Sequence, residues 1–141
     1  MVYQTRWVSS RQEQCIEDAE NRVLKLFKGA PFFGFAYRFD EVTYAGPLDE
    51  YDMPTPSSHV VELEAFVITK VTPKGFWINR AGICRGRFIL IDARKKYAHQ
   101  TIQDAKESFL ARKRRQIAIY QAKITKAEDA IRMLTGRLGG F

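Results

Sequence analysis

The sequence has few of the residues that hold metals or cross-link secreted proteins. It contains two cysteines and two histidines among 141 residues. Cys15 and Cys84 lie far apart and form no C-x-x-C pair, so we expect a reduced protein in the cytoplasm, with a long-range disulfide as the alternative. Since His59 and His99 are the only histidines, a zinc site is not expected.

Long apolar runs are also missing. The longest, residues 65–68 and 88–91, have four residues each, whereas a membrane-spanning helix needs about 20. The first seven residues (MVYQTRW) contain no apolar segment of the kind found in signal peptides. We therefore expect neither a membrane span nor a leader.

The sequence also lacks the common motifs of phosphate binding and catalysis, namely G-x-G-x-x-G, the P-loop, G-x-S-x-G and H-E-x-x-H. Glu62 and Glu64 fall on one face of a predicted strand, and we expect them at a solvated edge. Acid–base catalysis needs a partner group that this pattern does not supply. The sequence therefore predicts a protein that is not an enzyme and uses no cofactor and no metal.

The composition and the distribution of charge are informative. Hydrophobic residues make up 45% of the chain and aromatic residues 13%, which excludes a disordered protein and predicts a single domain over residues 1–141. The formal net charge is +7, but residues 1–69 carry six Lys and Arg against eleven Asp and Glu, and residues 70–141 carry seventeen against five. This asymmetry predicts a localised anion site in the second half.

Two segments have the apolar spacing of helices. Residues 10–28 begin with Ser10 and Glu13 at capping-box spacing and end before Gly29 and Pro31. Residues 101–135 begin at Thr101, a residue suited to the N-cap position, and contain no Pro or Gly before Gly136. We therefore predict an N-terminal helix and one long C-terminal helix.

Residues 32–93 between these helices have the patterns of strands and turns. Alternating residues predict strands over 32–39, 59–71 and 87–93, and a further strand begins at Phe76 after the turn formed by residues 73–75. Residues 40–58 contain three prolines and five acids and predict a long acidic loop. The predicted fold class is α+β, with a small antiparallel sheet of about four strands and the two helices.

The second half of the long helix carries a heptad seam. Its apolar residues are separated alternately by three and four positions, as in a coiled coil. They are Ile117, Tyr120, Ile124, Ala127, Ile131 and Leu134. This seam predicts either self-association, giving a homo-oligomer, or packing on the first helix.

Basic and aromatic residues are interleaved in the same half of the chain. Candidate ligand-binding residues are cations near the last strand and on the long helix, with aromatic residues among them. They are Phe76, Trp77, Arg94, Lys95, Tyr97, Arg112 and Arg115. Because Phe76 and Trp77 are adjacent on a strand, they point to opposite faces, so one of them is expected outside the core. The alternative for the basic run 112–115 is a solvated helix face.

Three stretches, residues 71–78 (VTPKGFWI), 87–98 (RFILIDARKKYA) and 106–117 (KESFLARKRRQI), resemble small bacteriophage proteins. Within that group the chain is most similar to the Thoeris anti-defence sponge family, over residues 71–133. The resemblance implies a non-catalytic protein of the host cytoplasm that sequesters a cyclic ADP-ribose signal and assembles as an oligomer. It also implies that Phe76 or Trp77 stacks the adenine, while Arg94 and either Arg112 or Arg115 hold the pyrophosphate.

Three functions remain open from the sequence. The first is sequestration of a small cyclic nucleotide signal of the glyco-cyclic ADP-ribose type by a phage counter-defence protein. The second is binding of nucleic acid, for which the basic second half would be the contact region. The third is inhibition of a host defence protein through direct binding.

Overall fold

A computed structural model describes residues 5–6, 11–27, 31–79 and 86–137. These residues form five strands and two helices, so the predicted α+β class is confirmed. In chain order they are β1 (Thr5–Arg6), α1 (Gln12–Leu26), β2 (Phe35–Tyr44), β3 (Ser58–Thr72), β4 (Gly75–Asn79), β5 (Arg87–Leu90) and α2 (Ile102–Arg137).

Strand β3 is the centre of the sheet. Along one edge it pairs with β2, from Phe35 opposite Val67 to Tyr44 opposite Ser58. Along its other edge it pairs first with the short β1 and then with β4, which in turn pairs with β5. All pairings are antiparallel, and β3, β4 and β5 form the predicted meander.

The predicted boundary between the first strand and the acidic loop 40–58 is wrong. Strand β2 continues to Tyr44, so Asp40 and Glu41 belong to the strand. Asp40 forms an ion pair with Arg38 at 2.8 Å, and the Glu41 carboxylate lies 3.0 Å from the imidazole of His59. The prediction failed because it took the run of acids and prolines as a loop from residue 40, whereas pairing with β3 extends the strand to Tyr44.

The connection over residues 45–57 is a loop with its own hydrogen bonds. The Asp49 carboxylate accepts hydrogen bonds from the backbone amides of Tyr51 and Met53, both at 2.9 Å. Leu48 and Pro54 form an isolated bridge, and the Thr55 hydroxyl donates to the Pro47 carbonyl. The side chains of Leu48, Tyr51 and Met53 are exposed at the surface of this loop.

One face of the sheet, here called the Phe66 face, carries a compact apolar cluster. Its members come from four strands and from the segment after β5. They are Ala36, Phe66, Ile68, Phe76, Ile78, Ile89 and Ala98. The segment after β5 is held across this face by paired backbone hydrogen bonds between Tyr37 and His99, at 2.6 and 2.9 Å.

Helix α1 covers the opposite face of the sheet. Its buried side chains, Cys15, Ala19 and Val23, recur at intervals of four residues, the spacing of one helix face. The Tyr37 hydroxyl of β2 donates a hydrogen bond to the Glu20 carboxylate of α1. The N-cap residue is Arg11, which makes no side-chain capping bond, and the predicted cap Ser10 lies outside the described residues.

Helix α2 starts with the predicted cap, because the Thr101 hydroxyl accepts a hydrogen bond from the Asp104 amide at 3.1 Å. The helix continues through Gly136 to Arg137, two residues beyond the predicted end at 135. The chain divides into two compact units, Met1–Lys106 and Glu107–Phe141, and most of α2 belongs to the second. Within the described chain, neither helix combines the length and apolar character needed to cross a membrane.

Gly75 is required by a close approach between β4 and β5. A Cβ atom at this position would lie 2.1 Å from the Ile89 carbonyl oxygen, and the same atom at Gly136 would contact nothing within 4 Å.

We predict that Gly75→Ala lowers the free energy of unfolding by about 2–3 kcal/mol, since the backbone must shift. Gly136→Ala, the matched control, should raise helix stability by about 0.5–1 kcal/mol. Urea denaturation of both variants measures this, and equal effects would contradict it.

The bond between Tyr37 and Glu20 predicts a pH dependence. Burial, followed by the hydrogen bond to Glu20, raises the pKa of Tyr37 above its ordinary value of 10.0. The neutral phenol is therefore favoured in the folded state, and its stabilisation is lost as the pH rises above the unfolded pKa.

We therefore expect Tyr37→Phe to cost about 1 kcal/mol near neutral pH. The variant should also lose less stability than the parent chain between about pH 9 and pH 11. Denaturation at several pH values tests this, with Tyr51→Phe as the control because Tyr51 is 76% exposed. An unchanged pH profile in Tyr37→Phe would contradict the assignment.

Candidate functional site

The alternation of side chains along β4 separates the two adjacent aromatic candidates. Phe76 is 3% exposed and belongs to the cluster on the Phe66 face. Trp77 lies on the opposite face and is 39% exposed. Of these two residues, Trp77 is therefore the one that a ligand could reach, while Phe76 packs the core.

The exposed Trp77 and the half-buried Phe88 form an aromatic pair. They are directly opposed in the register of β4 and β5, with ring centroids 5.3 Å apart and ring planes inclined by 50°. Together with Thr72, Pro73 and Lys74 they line a recess of about 410 Å³. We call this the Trp77 recess.

The turn between β3 and β4 builds one wall of the Trp77 recess. Pro73 and Lys74 occupy the turn, and the Thr72 hydroxyl bridges it by donating to the Gly75 carbonyl at 3.0 Å and accepting from the Gly75 amide at 3.2 Å. The Ile91 amide donates to the Lys74 carbonyl at 3.0 Å, so the chain leaving β5 passes beside this turn.

The chemistry of the Trp77 recess suits a flat, largely apolar group. Its walls are mostly carbon, and an indole ring is a strong stacking surface for a planar heterocycle. Lys74, which is exposed, contributes an ammonium group that could meet an anionic substituent. The lining therefore offers a stacking surface and one cation.

A second aromatic and cationic cluster lies on the Phe66 face. The Tyr97 ring packs edge-on against Phe66, with centroids 5.8 Å apart. The guanidinium carbons of Arg38 and Arg87 lie 4.3 and 3.9 Å from the Tyr97 ring centroid. These are cation–π distances, and the cluster concentrates two positive charges over one ring.

Arg38 in this cluster holds the fold together. Its Nε pairs with the Asp40 carboxylate at 2.8 Å, and its Nη1 donates to the Tyr97 carbonyl, also at 2.8 Å. It thereby ties the segment after β5 to strand β2. Arg87, the other arginine over the Tyr97 ring, is an exposed residue.

Within the first unit, the structure does not bring the predicted binding residues into one site. Trp77 and Tyr97 lie on opposite faces of the sheet. Arg94 and Lys95 are exposed in the segment between β5 and Ala98. Arg112 and Arg115 belong to the second compact unit, where both are exposed and Arg112 lies 5.6 Å from the Phe109 ring centroid.

The expectation that Glu62 and Glu64 lie at a solvated edge is wrong. They are 5% and 3% exposed, because β3 is flanked by strands on both edges. In the register of β2 and β3, Arg38 lies opposite Glu64 and Asp40 lies opposite Glu62. The Tyr44 hydroxyl donates a hydrogen bond to Glu62 at 2.5 Å. Among the described residues, no three His, Cys, Asp or Glu side chains are grouped to hold a metal ion.

The predicted set of binding residues omits Phe88 and Lys74 of the Trp77 recess and Arg38 of the Tyr97 cluster. The sequence does indicate Phe88, because this residue follows Arg87 at the start of the strand that comes after β4 in the chain and pairs with it. The sequence does not indicate Arg38, because its contact with Tyr97 joins residues 59 positions apart.

Comparison of the chain with protein-family models, curated protein sequences and solved structures gives no significant match. The resemblance to the Thoeris anti-defence sponge family therefore stays a prediction.

Proposed function

We propose that the protein binds a small anionic nucleotide at the Trp77 recess and holds it without altering it. The observation that carries this proposal is the exposed Trp77 ring, paired with Phe88 and bordered by Lys74. A nucleobase stacks on such a ring, and a neighbouring cation attracts the phosphate.

The position of Arg94 supports the same proposal. Ile91 is hydrogen-bonded to Lys74 at the edge of the recess, and Arg94 follows three residues later. Three residues span at most about 11 Å of extended chain, so the Arg94 backbone stays in the neighbourhood of the turn. Its exposed guanidinium can then take a phosphate in a bidentate manner.

The ligand class that we propose is a cyclic ADP-ribose signal, whose adenine would stack on Trp77 and whose pyrophosphate would meet Lys74, Arg94 and Lys95. The protein would then act as a phage counter-defence sponge in the host cytoplasm. Sequestration requires affinity and copy number alone, so the recess needs no catalytic group.

Nucleic-acid binding is the second candidate. One observation favours it: residues 112–115 of α2 form four consecutive basic positions, three of them exposed. A polyanion bound there would show a strong dependence of affinity on salt concentration, because bound counterions are released.

We predict that Trp77→Ala weakens the binding of glyco-cyclic ADP-ribose by about 10- to 100-fold, because one base-stacking surface is lost. Isothermal titration calorimetry measures the change. The control is Tyr51→Ala, which removes an exposed aromatic ring from loop 45–57 and should leave the affinity unchanged. Equal affinities for Trp77→Ala and the parent chain would contradict the proposed site.

The same titrations should include short single- and double-stranded DNA at several salt concentrations. Recovery of intact nucleotide after heat denaturation of the complex would support sequestration. Binding of DNA alone, with a steep salt dependence, would overturn the nucleotide proposal in favour of the second candidate.

Arg94→Ala tests the phosphate side of the site. We expect affinity for the nucleotide to fall by about tenfold, since a charge-assisted hydrogen bond is lost. Stability should not change, because Arg94 is exposed. The control is Arg132→Ala, which removes a cation paired with Asp129 on α2. If both variants retain full affinity, Arg94 does not contact the ligand.

A further inference from the structure

The heptad seam of α2 is exposed in the second unit. Its large apolar members have exposed fractions between 52% and 64%, so nothing within that unit covers them. They are Ile117, Tyr120, Ile124, Ile131 and Leu134. An apolar stripe of this length on a protein surface marks an interaction site.

The spacing of the seam specifies what covers it. Apolar residues at alternating intervals of three and four keep the stripe facing a second helix that supercoils around α2. Packing against a flat sheet does not require this spacing. Ile117, Ile124 and Ile131 occupy position a, and Tyr120, Ala127 and Leu134 occupy position d. In parallel coiled coils, β-branched residues at position a favour two strands when Leu occupies position d, as Leu134 does in the last heptad.

We propose that the seam pairs with the same seam of a second copy, forming a parallel, in-register, two-stranded coiled coil over residues 117–134. Lys123 then occupies position g, and Glu128 occupies position e of the following heptad. In a parallel dimer, these positions face each other across the interface. Each Lys123 therefore lies beside the partner's Glu128, twice in the symmetric dimer.

The antiparallel arrangement lacks this complementarity. When the two seams overlap fully in opposite directions, flanking positions pair g with g and e with e. Lys123 then lies near the partner's Ala130, and Glu128 lies near the partner's Gln121. Neither is an ion pair, so the charge pattern of this chain favours the parallel copy.

Two local features make burial of the seam feasible. The Tyr120 hydroxyl accepts a hydrogen bond from the Gln116 amide at 3.1 Å, so this polar group keeps a partner when its ring is buried. The preceding position d is Lys113, which ends the apolar seam at Ile117. The basic run 112–115 therefore stays outside the interface.

The first test measures the mass of the full chain in solution by light scattering over a concentration series. The parent chain should be a dimer. Ile124→Asp should weaken association by at least about a hundredfold, because a carboxylate enters position a in each copy. The control is Ile119→Asp, an isoleucine of similar exposure on the same helix that lies off the seam at position c. A monomeric parent, or equal effects of the two substitutions, would overturn the proposal.

The second test determines the direction of the helices. Ile117→Cys should form a disulfide-linked dimer under mild oxidation, since facing a positions of a parallel coil lie within disulfide reach. In the fully overlapped antiparallel arrangement, the two copies of residue 117 would be roughly 25 Å apart. The parent chain, which retains Cys15 and Cys84, is the background control. Absence of a cross-link above this background would overturn the parallel register.

A charge exchange supplies independent support. Lys123→Glu and Glu128→Lys should each weaken association, since like charges then face each other across the interface. The double variant should regain the affinity of the parent chain. Failure of the double variant to recover, while both single variants are weakened, would overturn the pairing of Lys123 with the partner's Glu128.

Discussion

The central position of β3 is the constraint on which the first unit depends. Its 15 residues provide the backbone hydrogen bonds for β2 on one edge and for β1 and β4 on the other. Every buried backbone donor and acceptor needs a partner. The extent of β3 therefore determines which residues of β1, β2 and β4 can be paired within the sheet. The register that follows puts Phe66 on one face and Leu63 and Val67 on the other, and so creates two apolar layers.

The same constraint determines how the charged residues of the sheet behave. Glu62 and Glu64 are buried in the central strand of the sheet, and the register brings Arg38 and Asp40 of β2 opposite them. Arg38 then reaches the Tyr97 carbonyl and ring, which fastens the segment after β5. Charges that would be a solvated surface on an edge strand therefore become part of the structural framework.

The two proposed interaction surfaces use different parts of the chain. The Trp77 recess belongs to the first unit and is built by the turn at Pro73 and by the pair of β4 and β5. The seam belongs to the second unit and depends on helix geometry alone. Ligand binding and self-association can therefore be tested independently, since Trp77→Ala leaves the seam intact and Ile124→Asp leaves the recess intact.

Local pattern was enough to predict both helices, the meander from β3 to β5, the cap at Thr101 and the exposure of either Phe76 or Trp77, since each depends on residues close in sequence. The tertiary structure decided the extent of β2, the burial of Glu62 and Glu64, and the separation of Trp77 from Tyr97. These depend on which strands flank β3 and on contacts between distant residues, such as Arg38 with Tyr97. Periodicity shows which residues share a face, but strand order decides whether that face or edge meets solvent.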